Sequence, residues 1–288
     1  MICHNNGLIY VFDGYGVDGR SLTDSLKRVT QKDPGIEIRI ITAAELKRMD
    51  RIDPDRVIAF FLPGGAKPQY DVQIGERCFA LIRDYVEKGG SFYGICAGAY
   101  YASKEFEYRP GTPGYRRKKP GLEFFNGLAR GPDPSLASQY SQELGTWYDA
   151  TIVDLSIEPD IDNPKSSAGL SAKSLYWNGP VFTLDPDADR PETLASINLN
   201  GSPTPMIMRI PHGRGQAFLS SLHPEVSAAQ LHQHISTYLP HGSYIARLSN
   251  VLETGDRQRE VFWTRFVNRS ISHFQTRHAL YQKPALGA

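Results

Sequence analysis

The chain has only three cysteines, Cys3, Cys78 and Cys96, and no CxxC pair. So odd and scattered a set excludes a disulfide framework and a structural zinc site, and it leaves at least one thiol free. An excess of charge of one sign is also missing, since 32 basic residues face 31 acidic ones for a formal charge of +1. That balance gives no electrostatic footprint for nucleic acid or for a membrane surface. Long apolar runs are lacking as well: nothing approaches the roughly 20 apolar residues needed to cross a bilayer. The opening MICHNNGLIYVFDGYG has no basic segment followed by a long apolar one. A cytoplasmic protein is therefore expected, with neither nucleic acid nor membrane as a partner. Low-complexity linkers and internal repeats are absent too.

What is present is a chain with a core to bury: 40% of its 288 residues are hydrophobic and 11% aromatic. The N-terminal part alternates strand-like and helix-like segments. GLIYVF (7–12), IEIRIIT (36–42), RVIAFFLPGG (56–65) and SFYGI (91–95) read as strands, with helical spacing in SLTDSLKRV (21–29) and ERCFALIRDYVEKGG (76–90). Alternation of this kind predicts a parallel sheet covered by helices, with ligands held beyond the carboxyl ends of the strands. Beyond residue 104 the pattern changes. RPGTPGYRRKKPG (109–121) reads as an exposed loop, and ATIVDLSIE, SLYWNG, PVFTLD and LASINLN read as short strands that extend the same sheet. GRGQAFLSSLHPE (213–225) is a strand running into a His-Pro turn, and VSAAQLHQHISTYL (226–239) a helix. REVFWTRFVNRSISHF (259–274) carries Phe262, Phe266 and Val267 on one stripe, flanked by Trp263 and Ile271, and is expected to dock as a helix. The expected division is a main domain over 1–243 and a helical extension over 244–288 docked on it.

Three short motifs carry chemistry. In GICAG (94–98) a strand ends, the chain turns at Cys96 and a helix begins, the outline of a nucleophile elbow with sulfur as the nucleophile. Gly94 and Gly98 keep the turn free of side chains, and the helix start favours a thiolate. Against this, most free cysteines are small buried hydrophobes. In HPE (223–225) a strand end can aim His223 and Glu225 at one place, the imidazole taking the thiol proton and the carboxylate orienting the ring. In LPGG (62–65) the N–H groups of Gly64 and Gly65, with that of Ala97, can bind a developing oxyanion. Other motifs are weaker. GYGVDG (14–19) fits the dinucleotide fingerprint, yet Asp13 precedes it and Arg39 stands where an acid belongs. His232 and His234 lie two apart, on different faces of a helix, and with His241 make no metal site. No metal and no cofactor is expected.

PGG, GICAG and HPE, in that order and at strand ends, resemble the class I glutamine amidotransferase superfamily. LPGGAKPQY, YGICAGAYYAS, EFFNGLARGP, LYWNGPVFTL and GRGQAFLSSLHPE narrow the likeness to the N-terminal domain of biotin-protein ligases and its stand-alone bacterial relatives, over roughly residues 8 to 240. The resemblance implies a flavodoxin-like three-layer α/β sandwich with a mainly parallel central sheet and a Cys96-His223-Glu225 triad. It also implies an acyl-transfer or amidase chemistry and a biotin-ligase-related or synthetase partner. Nothing resembles a biotinyl-adenylate loop, so biotin ligation is not expected. Glutamine-using members read G-x-C-x-G-x-Q, and Tyr100 stands at the glutamine position here, which argues against ordinary glutaminase activity. Tyr70, Arg130 and Asn178 join Tyr100 as expected substrate contacts. The competing expectation is a non-catalytic binding or regulatory domain that retains the elbow.

Overall fold

The computed structural model describes residues 7–65, 69–136, 149–159, 170–233 and 242–281. In its N-terminal part the strands β1 (Gly7–Asp13), β2 (Ile36–Thr42), β3 (Val57–Leu62) and β4 (Ser91–Ile95) alternate with α1 (Gly19–Val29), α2 (Ala43–Arg48), α3 (Tyr70–Gln73) and α4 (Glu76–Glu87). Local chemistry sets the boundaries. A reciprocal capping box between Thr42 and Glu45 starts α2. Past the end of α4 the chain turns at Gly89, whose φ of 111° suits a residue without a Cβ. β3 and β4 are buried along their whole length, as uninterrupted apolar runs require when both faces of a sheet are covered.

The remaining elements are α5 (Ala97–Tyr101), β5 (Ser103–Tyr108), β6 (Arg116–Lys118), β7 (Phe125–Gly131), β8 (Ala150–Ile157), β9 (Ser171–Trp177), β10 (Val181–Leu184), β11 (Glu192–Leu199), β12 (Ser202–His212), β13 (Gly215–Ser220), α6 (Ala228–Gln233), α7 (Gly242–Glu253) and α8 (Asp256–Tyr281). The large sheet has nine strands in the order β2-β1-β3-β4-β13-β12-β11-β8-β9. Its pairings from β2 to β13 are parallel and those from β13 to β9 antiparallel. The expected mainly parallel sheet is thus corrected to a mixed one. The reason lies in the connections, because a parallel neighbour needs a long crossover and a tight turn delivers an antiparallel one. Asn200 and Gly201, both at positive φ (52° and 84°), form such a turn between β11 and β12.

A second correction concerns the segment after residue 104. β8, β9, β11 and β12 do extend the large sheet, but β10-β7-β5-β6 form a separate four-stranded sheet. The basic stretch expected as a loop contributes β6 to it, and Arg117 of β6 pairs with Glu105 at 2.5 Å. Phe106, Phe125 and Ala129 of the smaller sheet share a core with Tyr100 and Tyr101 of α5. This sheet therefore backs the helix that follows the cysteine.

Helices cover both faces of the large sheet. Tyr10, Phe12, Phe60 and Phe92 pack with Phe79, Ile82 and Val86 of α4, while Ile9, Val11, Phe61 and Tyr93 face α1 and α8. Phe262, Trp263, Phe266, Val267 and Ile271 all lie in the second of these cores, as the stripe in the sequence predicts. The ring of Tyr93 stacks between Phe61 (4.3 Å) and Phe218 (4.5 Å), and its hydroxyl donates to the Phe266 carbonyl at 2.8 Å. Each such aromatic contributes on the order of 2 to 3 kcal/mol by burial. Of the helix expected over 226–239, residues 234–239 lie outside the described residues, as do Cys3, His234 and His241.

Candidate active site

Cys96 stands between the end of β4 and the start of α5, at φ 50° and ψ −102°. A positive φ is costly for a residue with a side chain and persists only where the surroundings impose it. Here the Cys96 N–H donates to the Ser220 carbonyl at 2.7 Å, fastening the turn to β13. Its carbonyl accepts from Ala99 at 3.0 Å and Tyr100 at 3.2 Å, fastening it to the helix. Gly98 makes the crossing possible, because a Cβ there would lie 2.0 Å from the Leu62 carbonyl oxygen. The thiol, with Cys96 6% exposed, donates to the Trp177 carbonyl at 3.3 Å.

His223 follows β13, the parallel neighbour of β4, so both strands deliver their ends to one side of the sheet. Its backbone N–H donates to Leu175 of β9 at 2.8 Å. Nδ1 lies 2.8 Å from Glu225 Oε1, and Nε2 is buried with no hydrogen-bond partner among the described residues. A Cβ on Gly64 would fall 2.8 Å from the His223 ring and 3.1 Å from the Cys96 Cβ, so the ring and the cysteine flank the same glycine. Burial works against a charged ring, but the Glu225 carboxylate and the adjacent Cys96 outweigh it and hold His223 well above the usual histidine range.

That upward shift has a consequence for stability. An imidazolium favoured by the fold stabilises it fully below the unfolded value of about 6.5, and the contribution is lost as the pH rises through the higher folded value. The stability margin of wild type over His223→Gln, read from urea unfolding, is therefore expected to be largest below about pH 6.5 and to shrink as the pH rises above it. A margin that is constant or grows would contradict this account of the ring.

The two glycines after β3 pack against the glycine-rich loop that follows β1. Asp18 N–H donates to the Gly64 carbonyl at 3.0 Å, and a Cβ on Gly65 would sit 1.9 Å from the Gly16 carbonyl oxygen. The dinucleotide-like GYGVDG segment is thus a buttress for PGG. Among the described residues, the N–H groups of Gly64, Gly65 and Ala97 donate to no other backbone group.

The four expected substrate contacts are placed differently. Tyr70 is fully buried below the glycine loop and donates to the Pro63 carbonyl at 2.5 Å. Burial, with Cys96 close by, pushes its phenol far up. Tyr100 donates to the Asn178 carbonyl at 2.9 Å. Asn178, at φ 62° and 8% exposed, follows the residue that receives the thiol and leaves its Oδ1 buried without a partner. Arg130 is not brought to this cluster: its exposed guanidinium pairs with Glu107 at 3.3 Å. Sequence reasoning does not single out Trp177 and Tyr176, although the segment SLYWNG contains both. The Tyr176 hydroxyl donates to the Gly179 carbonyl at 3.0 Å and accepts from Asp133 N–H at 3.0 Å. Also missed was the buried pair Arg109–Asp149 at 3.2 Å, which has no local signal because its partners are 40 residues apart.

A family model described as biotin-protein ligase, N terminal, matches residues 7–286. The chain belongs to this family. Two curated proteins are similar to it at modest identity: a biotin-protein ligase of Schizosaccharomyces pombe is 27% identical over 200 residues, covering 68% of this chain and 29% of the ligase. An uncharacterised protein of Chlamydia muridarum is 36% identical over 165 residues, 57% of this chain and 59% of that protein. The chain thus spans less than two thirds of either relative. Among solved structures, a glutamine amidotransferase from Thermotoga maritima aligns with a TM-score of 0.57 at 12% identity, over 92% of this chain and 98% of that one. A glutamine amidotransferase from Methylobacillus flagellatus aligns with a TM-score of 0.50 at 10% identity, over 93% and 95%. These likenesses show that the family's fold here is of the glutamine amidotransferase kind. Among the described residues of this family member, no helix is long and apolar enough to cross a membrane.

Proposed function

We propose that Cys96, His223 and Glu225 act as nucleophile, base and orienting carboxylate in acyl transfer from a small amide or related carbonyl compound. The observation that carries the reading is the His223–Glu225 contact of 2.8 Å, with the opposite ring nitrogen unpartnered and turned to the same glycine as Cys96. In the first step His223 Nε2 takes the Cys96 thiol proton as the sulfur attacks the carbonyl carbon, and the C=O electron pair moves to oxygen. The N–H groups of Gly64, Gly65 and Ala97 hold that oxyanion. When the C–N bond breaks, Nε2 of the imidazolium protonates the departing amine and a thioester remains on Cys96. Water, or an acceptor supplied by a biotin-ligase-related or synthetase partner, then gives its proton to His223 and releases the acyl group. Tyr70 supports the Pro63 carbonyl from below, and Asn178 contacts substrate above the thiol.

Biotin ligation is not part of this proposal, because the match to the yeast ligase takes in 29% of that protein. A second reading, a non-catalytic binding domain, is favoured by the thiol hydrogen bond to Trp177, which a resting structural cysteine also makes. Small activated esters and anilides separate the two. The wild type is expected to gain one acyl group on Cys96, seen in the intact mass and removed by hydroxylamine, and Cys96→Ala none. Failure of every activated acyl donor to modify Cys96 would leave the binding domain as the better account.

A further inference from the structure

We propose that Arg259, on the C-terminal helix α8, is a positioning residue that sets the His223–Glu225 pair through the carbonyl of Pro224; this rests on the triad reading above. Glu225 shows why the pair needs outside support. Its Oε1 contacts the ring it orients, while Oε2 is buried with no hydrogen-bond partner. Among the described residues, the carboxylate is therefore located by its own backbone and by the ring alone. Pro224, between the two residues, has no N–H, so its carbonyl is the only backbone handle at that position. Arg259 takes that handle: Nη1 donates to the Pro224 carbonyl at 2.5 Å.

The donor is itself fixed. Arg259 is 2% exposed, and its Nε donates to Asp256 Oδ1 at 2.7 Å. The same carboxylate oxygen accepts from Ala228 N–H at 3.3 Å, on the far side of the turn. A buried guanidinium is expensive unless its donors are satisfied, and a residue that only filled space here would need no charge. Leu175 holds the turn at His223, Ala228 is held by Asp256, and Arg259 holds the middle. The C-terminal helix thereby contributes to the site as well as to the core.

The expected consequence is read at the sulfur. The groups facing the imidazole are Glu225 and Cys96, with Tyr70 and Tyr176 beside the cysteine as phenols that burial keeps protonated. If the turn shifts, His223 leaves the sulfur and no longer stands where it can take the thiol proton as the sulfur reacts. The rate of Cys96 alkylation by iodoacetamide against pH is measured for wild type, Arg259→Gln, Arg259→Lys and His223→Ala, with labelling of buried Cys78 as the report of unfolding. Arg259→Gln is expected to lower the rate near pH 7 about tenfold, to move its profile toward that of His223→Ala, and to leave Cys78 protected. Arg259→Lys, which keeps a donor and a charge, should recover part of the loss. A wild-type profile in folded Arg259→Gln overturns the inference while the triad stands. Wild-type labelling indifferent to His223→Ala overturns the triad and the inference with it. If Cys78 labels in Arg259→Gln, Asp256→Asn replaces it: freeing the guanidinium from its tether should lower the rate, and an unchanged profile overturns the inference.

Discussion

Iodoacetamide is expected to alkylate wild-type Cys96 at neutral pH at least about tenfold faster than it alkylates His223→Ala, while glutamine yields no ammonia with either protein. The first half follows from the His223–Glu225 contact and from the raised affinity of the ring for its proton, which Glu225 and Cys96 together sustain against burial. A ring held beside the sulfur can take the thiol proton as the sulfur reacts, and its removal leaves that proton without an acceptor. The second half follows from Tyr100. Its ring packs edge-on against Phe106 and Tyr108, its hydroxyl holds the Asn178 carbonyl at 2.9 Å, and the residue is 4% exposed. A side chain so fixed cannot swing to present an amide-like contact to glutamine. Proximity then decides the rate, since a carbonyl displaced by about 1 Å can lose on the order of 100-fold with every catalytic group intact.

Ammonia release and alkylation are measured side by side on wild type, Cys96→Ala and His223→Ala. Robust release by the wild type that disappears in both variants would overturn the argument from Tyr100 and restore an ordinary glutaminase. Labelling of Cys96 at one rate with and without His223 would instead remove the activated nucleophile. Slow labelling of Cys78 is the internal reference, because burial pushes that thiol up.

The parts of the fold visible in the sequence are those set by local pattern. The four strand-like segments and the helices expected at 21–29 and 76–90 formed where their spacing puts them, α2 and α3 formed without an expectation, and the aromatic stripe around Phe262 and Phe266 docked. What was hidden depends on which strands meet. The Asn200-Gly201 pair is a hairpin signal that, read for its turn type, announces an antiparallel β11–β12 and hence a mixed sheet. No such signal marks the parting of β5, β6, β7 and β10 into a second sheet, where β5 lies parallel to β7 and β10 antiparallel to it. In the site, Cys96, His223, Glu225 and Gly64 share one end of the sheet because strand-end motifs report where a strand delivers its next residue. Arg130 shows the limit of that rule. It sits within β7 on the exposed face, where alternation rather than the strand end decides its direction. Trp177 acts through its carbonyl and Arg259 through the carbonyl of another residue, roles that side-chain identity does not disclose.

Gly98→Ala is expected to lower stability by about 1 to 3 kcal/mol and to abolish the His223-dependent labelling of Cys96. Two effects oppose each other at this position. Inside a helix, alanine gains up to about 1 kcal/mol over glycine from the unfolded chain's lost freedom, wherever the backbone accommodates it. At Gly98 it is not accommodated, because the new Cβ would lie 2.0 Å from the Leu62 carbonyl oxygen and 2.9 Å from its carbon. Those are backbone atoms at the end of β3, in a strand buried on both faces, so no flexible side chain can yield. Relief comes only from moving α5 away from the sheet. The Cys96 carbonyl caps that helix at Ala99 and Tyr100 while the Cys96 N–H is tied to Ser220, so displacement pulls the turn apart at Cys96. Overpacking therefore wins over helix propensity, and the loss reaches the thiol before it reaches the rest of the sheet. Urea unfolding of wild type and Gly98→Ala, with Cys96 alkylation measured below the transition, checks both claims. A variant as stable as wild type, with labelling that still depends on His223, would mean that the helix and β3 tolerate the extra carbon and that the close crossing is not what fixes Cys96.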